Sequence, residues 1–251
     1  MLLRVKDVEK YYRSKNISTK VLDKINFEVE QGEFISIMGA SGSGKTTLLN
    51  CVSTIDRVTG GSIFLNDINI SKLQEHELAR FRREQLGFVF QDSKLLTTLT
   101  IEENIALPLT ICSLEPTLIP KRVSDIAEKF GIEGILKKYP YEVSGGEKQR
   151  AAFARAIINN PSLLLADEPT GALDSKSAGM LMEHLLLSNK QLHLTILLVT
   201  HDPISASYAN RVLFIKDGDI YNQLHKGNEN SRRFYQQILD VLSTIRGEAR
   251  C

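Results

Sequence analysis

Short apolar or β-branched runs punctuate the chain at Phe34–Met38, Gly87–Phe90, Leu163–Ala166, Thr195–Thr200 and Val212–Lys216, each with the length and composition of a buried strand. Between them lie stretches of helical spacing. Leu78, Phe81, Arg82 and Gln85 form one, and Ala178, Leu181 and Leu185 form another with Ser175 at its N-cap. Buried strands alternating with helices predict an α/β domain built on a mainly parallel sheet. Residues 1–30 and 60–70 break that rhythm. There Ile63 and Leu65 alternate with Phe64 and Asn66, as half-exposed antiparallel strands would. Residues 92–160 break it differently, with helical patterns and no strong strand. Thr100-Ile-Glu-Glu103 is a capping-box pattern opening a short helix expected to stop before Pro108. Val123, Ile126, Ala127 and Phe130 make a stripe ending at Gly131, and Phe234, Ile238, Val241, Leu242 and Ile245 line one face of a terminal helix over Ser231–Arg246. The chain is therefore expected to be one domain over 1–251. Residues 1–91 and 161–230 form the α/β core with its antiparallel part, 92–160 an inserted helical subdomain, and 231–251 a C-terminal helix.

Composition narrows the function classes. Of 251 residues, 31 are Lys or Arg and 30 Asp or Glu, a formal charge of +1, which argues against a general nucleic-acid-binding surface. Cys51, Cys112 and Cys251 are far apart and odd in number, giving neither a disulfide framework nor a zinc spacing. No apolar run approaches the roughly 18 residues of a membrane helix, and the N-terminal residues Arg4, Lys6, Asp7 and Glu9 leave no apolar signal core. The expectation is a soluble chain whose membrane role, if it has one, runs through a partner.

The chemistry begins at Gly39-Ala-Ser-Gly-Ser-Gly-Lys-Thr-Thr47, which fits G-x-x-x-x-G-K-[ST]. Chance produces that pattern in about one random chain of this length in a hundred. Here a strand precedes it and a helix beginning near Lys45 follows it. Glycines let the backbone wrap a triphosphate so that its N–H groups face the oxygens. The helix N-terminus adds positive potential. Lys45 is placed to neutralise the β- and γ-phosphates and Thr46 to ligate Mg²⁺. Gly39, Ala40, Ser41, Gly42, Ser43, Gly44, Lys45, Thr46 and Thr47 are thus the candidate nucleotide loop.

Two other patterns gain meaning beside it. The apolar run Leu163–Ala166 ends in Asp167 and Glu168; a strand ending near the phosphates would bring Asp167 to the Mg²⁺ shell and leave Glu168 to polarise the attacking water. Ser144-Gly145-Gly146-Glu147 opens a helix as a capping box, yet two glycines in a first turn cost up to about 1 kcal/mol each relative to alanine. Bare N–H groups at a helix start suit phosphate. Two phosphate-binding devices with one lysine loop are explained by two molecules sharing two nucleotides, each supplying half of each site.

These residues resemble the ABC ATPases along essentially the whole chain. Ser144-Gly-Gly-Glu-Lys-Gln-Arg150 is similar to the signature sequence of that family. The resemblance implies a head-to-tail homodimer in which Ser144, Gly145 and Gly146 face the γ-phosphate held by the other subunit's Lys45. It implies that Tyr12, with Tyr11 beside it as the alternative, stacks on adenine. It also implies that Gln91 senses Mg²⁺ and links to the helical insert, that Asp167 ligates the metal, that Glu168 is the catalytic glutamate and that His201 holds the γ-phosphate. Ala172-Leu173-Asp174 resembles the loop that crosses the dimer interface. Two positions depart from the pattern: Glu147 replaces the commoner glutamine, and Gly171 stands where many relatives carry serine.

Three readings follow: the ATPase subunit of a membrane transporter, a membrane-coupled ATPase that transmits a mechanical or sensory signal without moving a solute, and a soluble ATPase acting on DNA or ribosomes. The stretch between Lys45 and Ser144 is too short for the long coiled coils of the DNA-repair relatives, and a single phosphate loop differs from the paired cassettes of the ribosomal ones. Gly39-Ala-Ser-Gly-Ser-Gly-Lys45, Leu99-Thr-Ile-Glu-Glu-Asn-Ile105 and Glu168-Pro-Thr-Gly-Ala-Leu-Asp-Ser-Lys-Ser177 resemble the branch serving lipoprotein-release, macrolide-efflux and antimicrobial-peptide transporters. His201-Asp-Pro203 and Arg211-Val-Leu-Phe-Ile-Lys-Asp-Gly218, with Tyr221-Asn-Gln-Leu-His-Lys-Gly227, resemble within it the bacitracin-resistance subgroup. That resemblance implies a separate permease as partner, a sensor kinase in some assemblies, no nucleic acid, and a place on the cytoplasmic face of the membrane held by the permease. Residues Gln91–Leu107 are the expected permease groove.

Overall fold

The computed structural model describes residues 1–14 and 17–247. The chain divides into two compact units, Met1–Leu78 with Thr195–Cys251, and Ala79–Leu194.

In the first unit, β1 (Leu3–Ser14) and β2 (Ile17–Val29) pair antiparallel. The short strand β3 (Phe34–Met38) is buried along its whole length and leads through the glycine loop into α1 (Lys45–Val52). Next come β4 (Gly60–Leu65) and β5 (Ile68–Asn69), which complete an antiparallel sheet in the order β2-β1-β4-β5. The alternation read at 60–70 is realised: Ile63 and Leu65 are buried, while Phe64 lies under the Arg4 guanidinium. Helix α2 (Glu75–Gln85) carries the chain into the second unit.

There β6 (Leu86–Val89) runs parallel to β7 (Leu163–Asp167), with Leu86 opposite Leu163 and Val89 opposite Ala166. Strand β6 is set one residue earlier than the expected Gly87–Phe90. Between the two strands lie α3 (Ile101–Ile111), α4 (Ile119–Phe130) and α5 (Gly145–Ile157), and after them α6 (Ser175–Leu192). Helix α5 is the centre of this unit and packs on α3, α4, α6 and β6. Its Phe153 meets Phe130 of α4 edge-on at 4.9 Å.

The chain then returns to the first unit through β8 (Thr195–Val199), α7 (Pro203–Ala206), β9 (Arg211–Lys216), β10 (Asp219–His225) and α8 (Ser231–Gly247). Strand β3 is parallel to β8 on one side and to β9 on the other, and β10 closes the edge antiparallel to β9. The apolar face of α8 is buried through Phe234, Ile238 and Ile245 against Met38, Ala206, Val212 and Phe214. Residues 248–251 of the expected terminal segment, Cys251 among them, lie outside the described residues. The fold is α/β, with parallel strands at its core and an antiparallel N-terminal sheet, as the hydrophobic pattern predicts.

Two local expectations are corrected. Helix α3 does not stop before Pro108 but runs through it to Ile111, held by burial of Ile105 and Leu109; packing overrides the breaker. The N-cap of α6 is Asp174, not Ser175: its carboxylate accepts from the Lys176 and Ser177 backbone N–H groups, and a carboxylate at a helix N-terminus also meets the dipole favourably.

Candidate nucleotide site

The first unit carries the phosphate loop. Parallel pairing of β3 with β8 sets Ile37 opposite Val199, so Gly39 and His201 each lie two residues beyond the pair at the same carboxyl edge. Thr200 donates its N–H to the Ile37 carbonyl and ties the two strand ends together. That edge is where ligands bind in parallel α/β sheets. At Gly39 an added Cβ would stand 2.3 Å from the Ile215 carbonyl oxygen, and Gly44 turns into α1 with φ of 103°, so the loop's path depends on both glycines. The N-cap of α1 is Gly44, which has no side chain to cap the helix, and no acidic residue stands in the first turn. Lys45 is buried, and its ammonium donates to the carbonyls of Gly39 at 3.0 Å and Ala40 at 2.8 Å, so the cation is curled within the loop. Ala40, Ser41, Gly42 and Thr46 are exposed, Thr47 is half-buried, and Ser43 is buried.

Tyr12 belongs to the same region. Its hydroxyl donates to Asp56 Oδ2 at 2.7 Å and also interacts with Thr47 on α1. Lys10 spans the back of the ring, its ammonium 4.9 Å from the ring centroid, 2.5 Å from Asp56 Oδ1 and 2.7 Å from the Arg57 carbonyl. Burial pushes the Asp56 carboxyl upward, but the Lys10 and Tyr12 hydrogen bonds outweigh it and hold the group below the ordinary carboxylate range. The Tyr12 hydroxyl is raised by burial and by the Asp56 bond. Tyr11, on the opposite strand face, lies under Lys20 instead. Asp56 and Lys10 carry no sequence signal for this role, because Lys10 reads as one more charge on an alternating strand.

The second unit repeats the layout. Val89 pairs with Ala166, so Gln91 and Glu168 each lie two residues beyond the pair, with Asp167 at the end of β7. Glu168 has φ of 47°, a left-handed conformation rare for a residue with a side chain, and its carbonyl accepts from the Gly171 N–H at 2.9 Å. The Gln91 amide lies against Gly171, where a Cβ would come within 3.1 Å of Nε2; a serine at 171 would press on Gln91. Ser144 and Glu147 form the expected capping box. Glu147 Oε2 accepts from the Ser144 N–H at 2.8 Å and from its hydroxyl at 2.7 Å, and Ser144 Oγ accepts from the Glu147 N–H at 3.3 Å. The Ser144 hydrogen bonds hold the Glu147 carboxyl below its ordinary value, so the added charge is engaged in the cap. Gly146 is pressed against Ser177, whereas among the described residues a Cβ on Gly145 would meet only Leu173, at 4.0 Å.

A strand, a glycine loop and a helix start arranged in this way define a P-loop nucleotide-binding domain. The profile of the ABC transporter family matches residues 22–171, and the chain belongs to that family. It is 54% identical to the ABC transporter ATP-binding protein YxdL of Bacillus subtilis (strain 168), over 99% of this chain and 96% of that one. It is 50% identical to the bacitracin export ATP-binding protein BceA of Halalkalibacterium halodurans, over 98% and 97%. Its fold matches a dimeric post-hydrolysis structure of the ATP-binding cassette MJ0796 bound to ADP and Pi with a TM-score of 0.83 and 36% identity, covering 89% of this chain and 98% of that one. The protein is an ATP-hydrolysing cassette, and no helix among the described residues is long and apolar enough to cross a membrane.

Proposed function

We propose that this ATPase drives a separate permease that exports or detoxifies antimicrobial peptides of the bacitracin kind. The observation that carries the reading is the 50% identity to a bacitracin export ATP-binding protein along nearly the full length of both chains. On this reading the protein works as a homodimer at the cytoplasmic face of the membrane, held there by the permease, and a sensor kinase joins some of these assemblies. The helical region 92–160 receives the permease, with Gln91–Leu107 lining the groove. Leu96, an apolar side chain left about half exposed, supports that placement. Gly145 supports the dimer: none of the described residues of its own chain excludes a side chain there, so its bareness suits a phosphate carried by a second copy.

The roles proposed for the side chains follow from their chemistry. Lys45 leaves the Gly39 and Ala40 carbonyls to meet the β- and γ-phosphates, while the loop N–H groups and the start of α1 hold the triphosphate. Tyr12 presents its free face to adenine. Thr46, Gln91 and Asp167 offer oxygen donors for Mg²⁺. Among the described residues no group of three or more His, Cys, Asp or Glu side chains could hold a metal by itself, and a donor set that leaves room for phosphate and water suits this small hard cation. When bound, Mg²⁺ neutralises charge developing on the phosphates. Glu168 takes the proton of the attacking water, and His201 donates to the γ-phosphate.

The test is a mild-detergent pull-down of tagged Glu168→Gln protein from its native membranes with Mg-ATP, followed by mass spectrometry. A large permease at one copy per two ATPases is expected, together with raised bacitracin sensitivity in cells lacking the pair. Recovery with ribosomal or DNA-associated proteins alone overturns the membrane reading. A permease whose loss leaves peptide sensitivity unchanged overturns the substrate class.

A further inference from the structure

Gln149 lies in the second turn of α5 and is almost completely buried. Its amide nitrogen donates one proton to the Phe90 carbonyl at 2.7 Å and the other to the Pro169 carbonyl at 3.0 Å. Phe90 immediately precedes Gln91, and Pro169 immediately follows Glu168. The same helix holds the far side of the Gln91 segment through Arg155, whose guanidinium donates to the carbonyls of Ser93 at 2.9 Å and Lys94 at 2.8 Å.

We propose that Gln149 is a positioning residue for ATP hydrolysis: its amide fastens the backbone on either side of the reacting groups, before Gln91 and after Glu168, to the helix that begins at Ser144-Gly145-Gly146. The proposal rests on the roles given above to Gln91 and Glu168. Both amide protons are spent on main-chain carbonyls, so the link joins backbone to helix and is untouched by rotation of the Gln91 or Glu168 side chains. Burial strengthens both bonds and makes an unpaired carbonyl costly. Glu168 gains most from this, because a left-handed residue keeps its conformation only when its surroundings over-determine it. The Gly171 N–H holds its carbonyl, and Gln149 holds the next one. A shift of α5 at its phosphate-facing start is therefore passed to Gln91 and Glu168 together, and both groups are set when the signature helix is set.

Gln149→Met keeps an unbranched side chain of similar volume and removes both donors. Measured as kcat, KM for Mg-ATP, binding of a fluorescent ATP analogue, and thermal midpoint, it is expected to lower kcat about 10- to 100-fold while the ATP dissociation constant moves less than about threefold, since displacement of reacting groups by about 1 Å has effects of that size. Introduced into Glu168→Gln, it is expected to lower the residual single-turnover rate by a clearly smaller factor than it lowers the parent's, because one of the two groups it positions is already disabled. A purely structural role would lower the thermal midpoint without that split or that loss of additivity. A kcat within twofold of the parent, or an equal further loss in the Glu168→Gln background, overturns the proposal. Parent-rate hydrolysis by Glu168→Gln alone instead overturns the general-base assignment and the Glu168 half with it, while a kcat loss in Gln149→Met then supports the Gln91 half. If Gln149→Met fails to fold, Gln149→Asn, one methylene short of spanning both carbonyls, is measured in its place. Reduced kcat with normal ATP binding supports the proposal, and parent kcat overturns it.

Discussion

The side chains that would act on the nucleotide and those that hold them differ in how plainly they can be read. Lys45 and Glu168 stand in contiguous patterns, and their variants should part cleanly. Lys45→Ala is expected to lose productive ATP binding, while Glu168→Gln binds ATP but hydrolyses it at least about a hundredfold more slowly; equilibrium binding beside a phosphate-release assay distinguishes them. The Tyr12 ring is held by Asp56 and Lys10. Tyr12→Phe and Asp56→Asn, each removing one hydrogen bond from that support, are expected to weaken ATP binding about 2- to 10-fold. Inorganic tripolyphosphate, which has no base to stack, should bind both variants like the parent. Equal weakening for the two ligands would show that Asp56 supports α1 and not base stacking. Nothing near Tyr12 in the sequence points to Asp56, because the pairing joins positions 44 residues apart.

At the scale of elements, local signals were legible wherever the chemistry is local. The capping boxes Thr100/Glu103 and Ser144/Glu147 are four-residue patterns, and both form. The Gly131 stop of α4 is equally local, with φ of 59°. Pro108 misleads because a proline's intrinsic helix penalty, about 3 kcal/mol, is a single-residue property that buried neighbours can outweigh. The α3 entry also depends on Asn104. Its side chain is wholly buried, accepting from the Leu96 N–H at 2.7 Å and donating to the carbonyls of Leu96, Leu99 and Thr100. Asn104→Ala leaves those groups without their partner and should destabilise the protein by about 2–4 kcal/mol. Denaturant unfolding checks the number, and protection of the Leu96 amide from hydrogen exchange should fall with it.

For the molecule as a whole, stability should respond to acid in two stages. His184 of α6 lies edge-on to Phe130, and burial, with the Arg150 charge adding to it, lowers its pKa from the ordinary 6.5. The unfolded chain therefore binds that proton more readily, so this contribution is complete above about pH 6.5 and is lost as pH falls through the lower folded value. The carboxyls of Glu103, Glu147 and Asp174 are held down by the Thr100, Ser144 and Ser177 hydrogen bonds of their helix caps. They give the second stage, present above about pH 4.5 and lost as pH falls through their folded values. Thermal midpoints across pH 3–8 should show both stages, and His184→Gln should remove the first and spare the second.

The sequence alone determined the α/β class, the order of the motifs, the phosphate loop, the helix caps and the resemblance to ABC ATPases. Each of these is written in residues a few positions apart, where backbone geometry turns spacing directly into proximity. The tertiary structure decided what holds the machinery in place: Gln149 between two carbonyls, Asn104 on its loop, and Lys10 with Asp56 behind Tyr12. A carbonyl acceptor is present at every residue and so carries no mark in the sequence. An amide or ammonium side chain reads the same whether it ends in water or in the core. Only when folding removes the water does the partner become unique and the bond consequential.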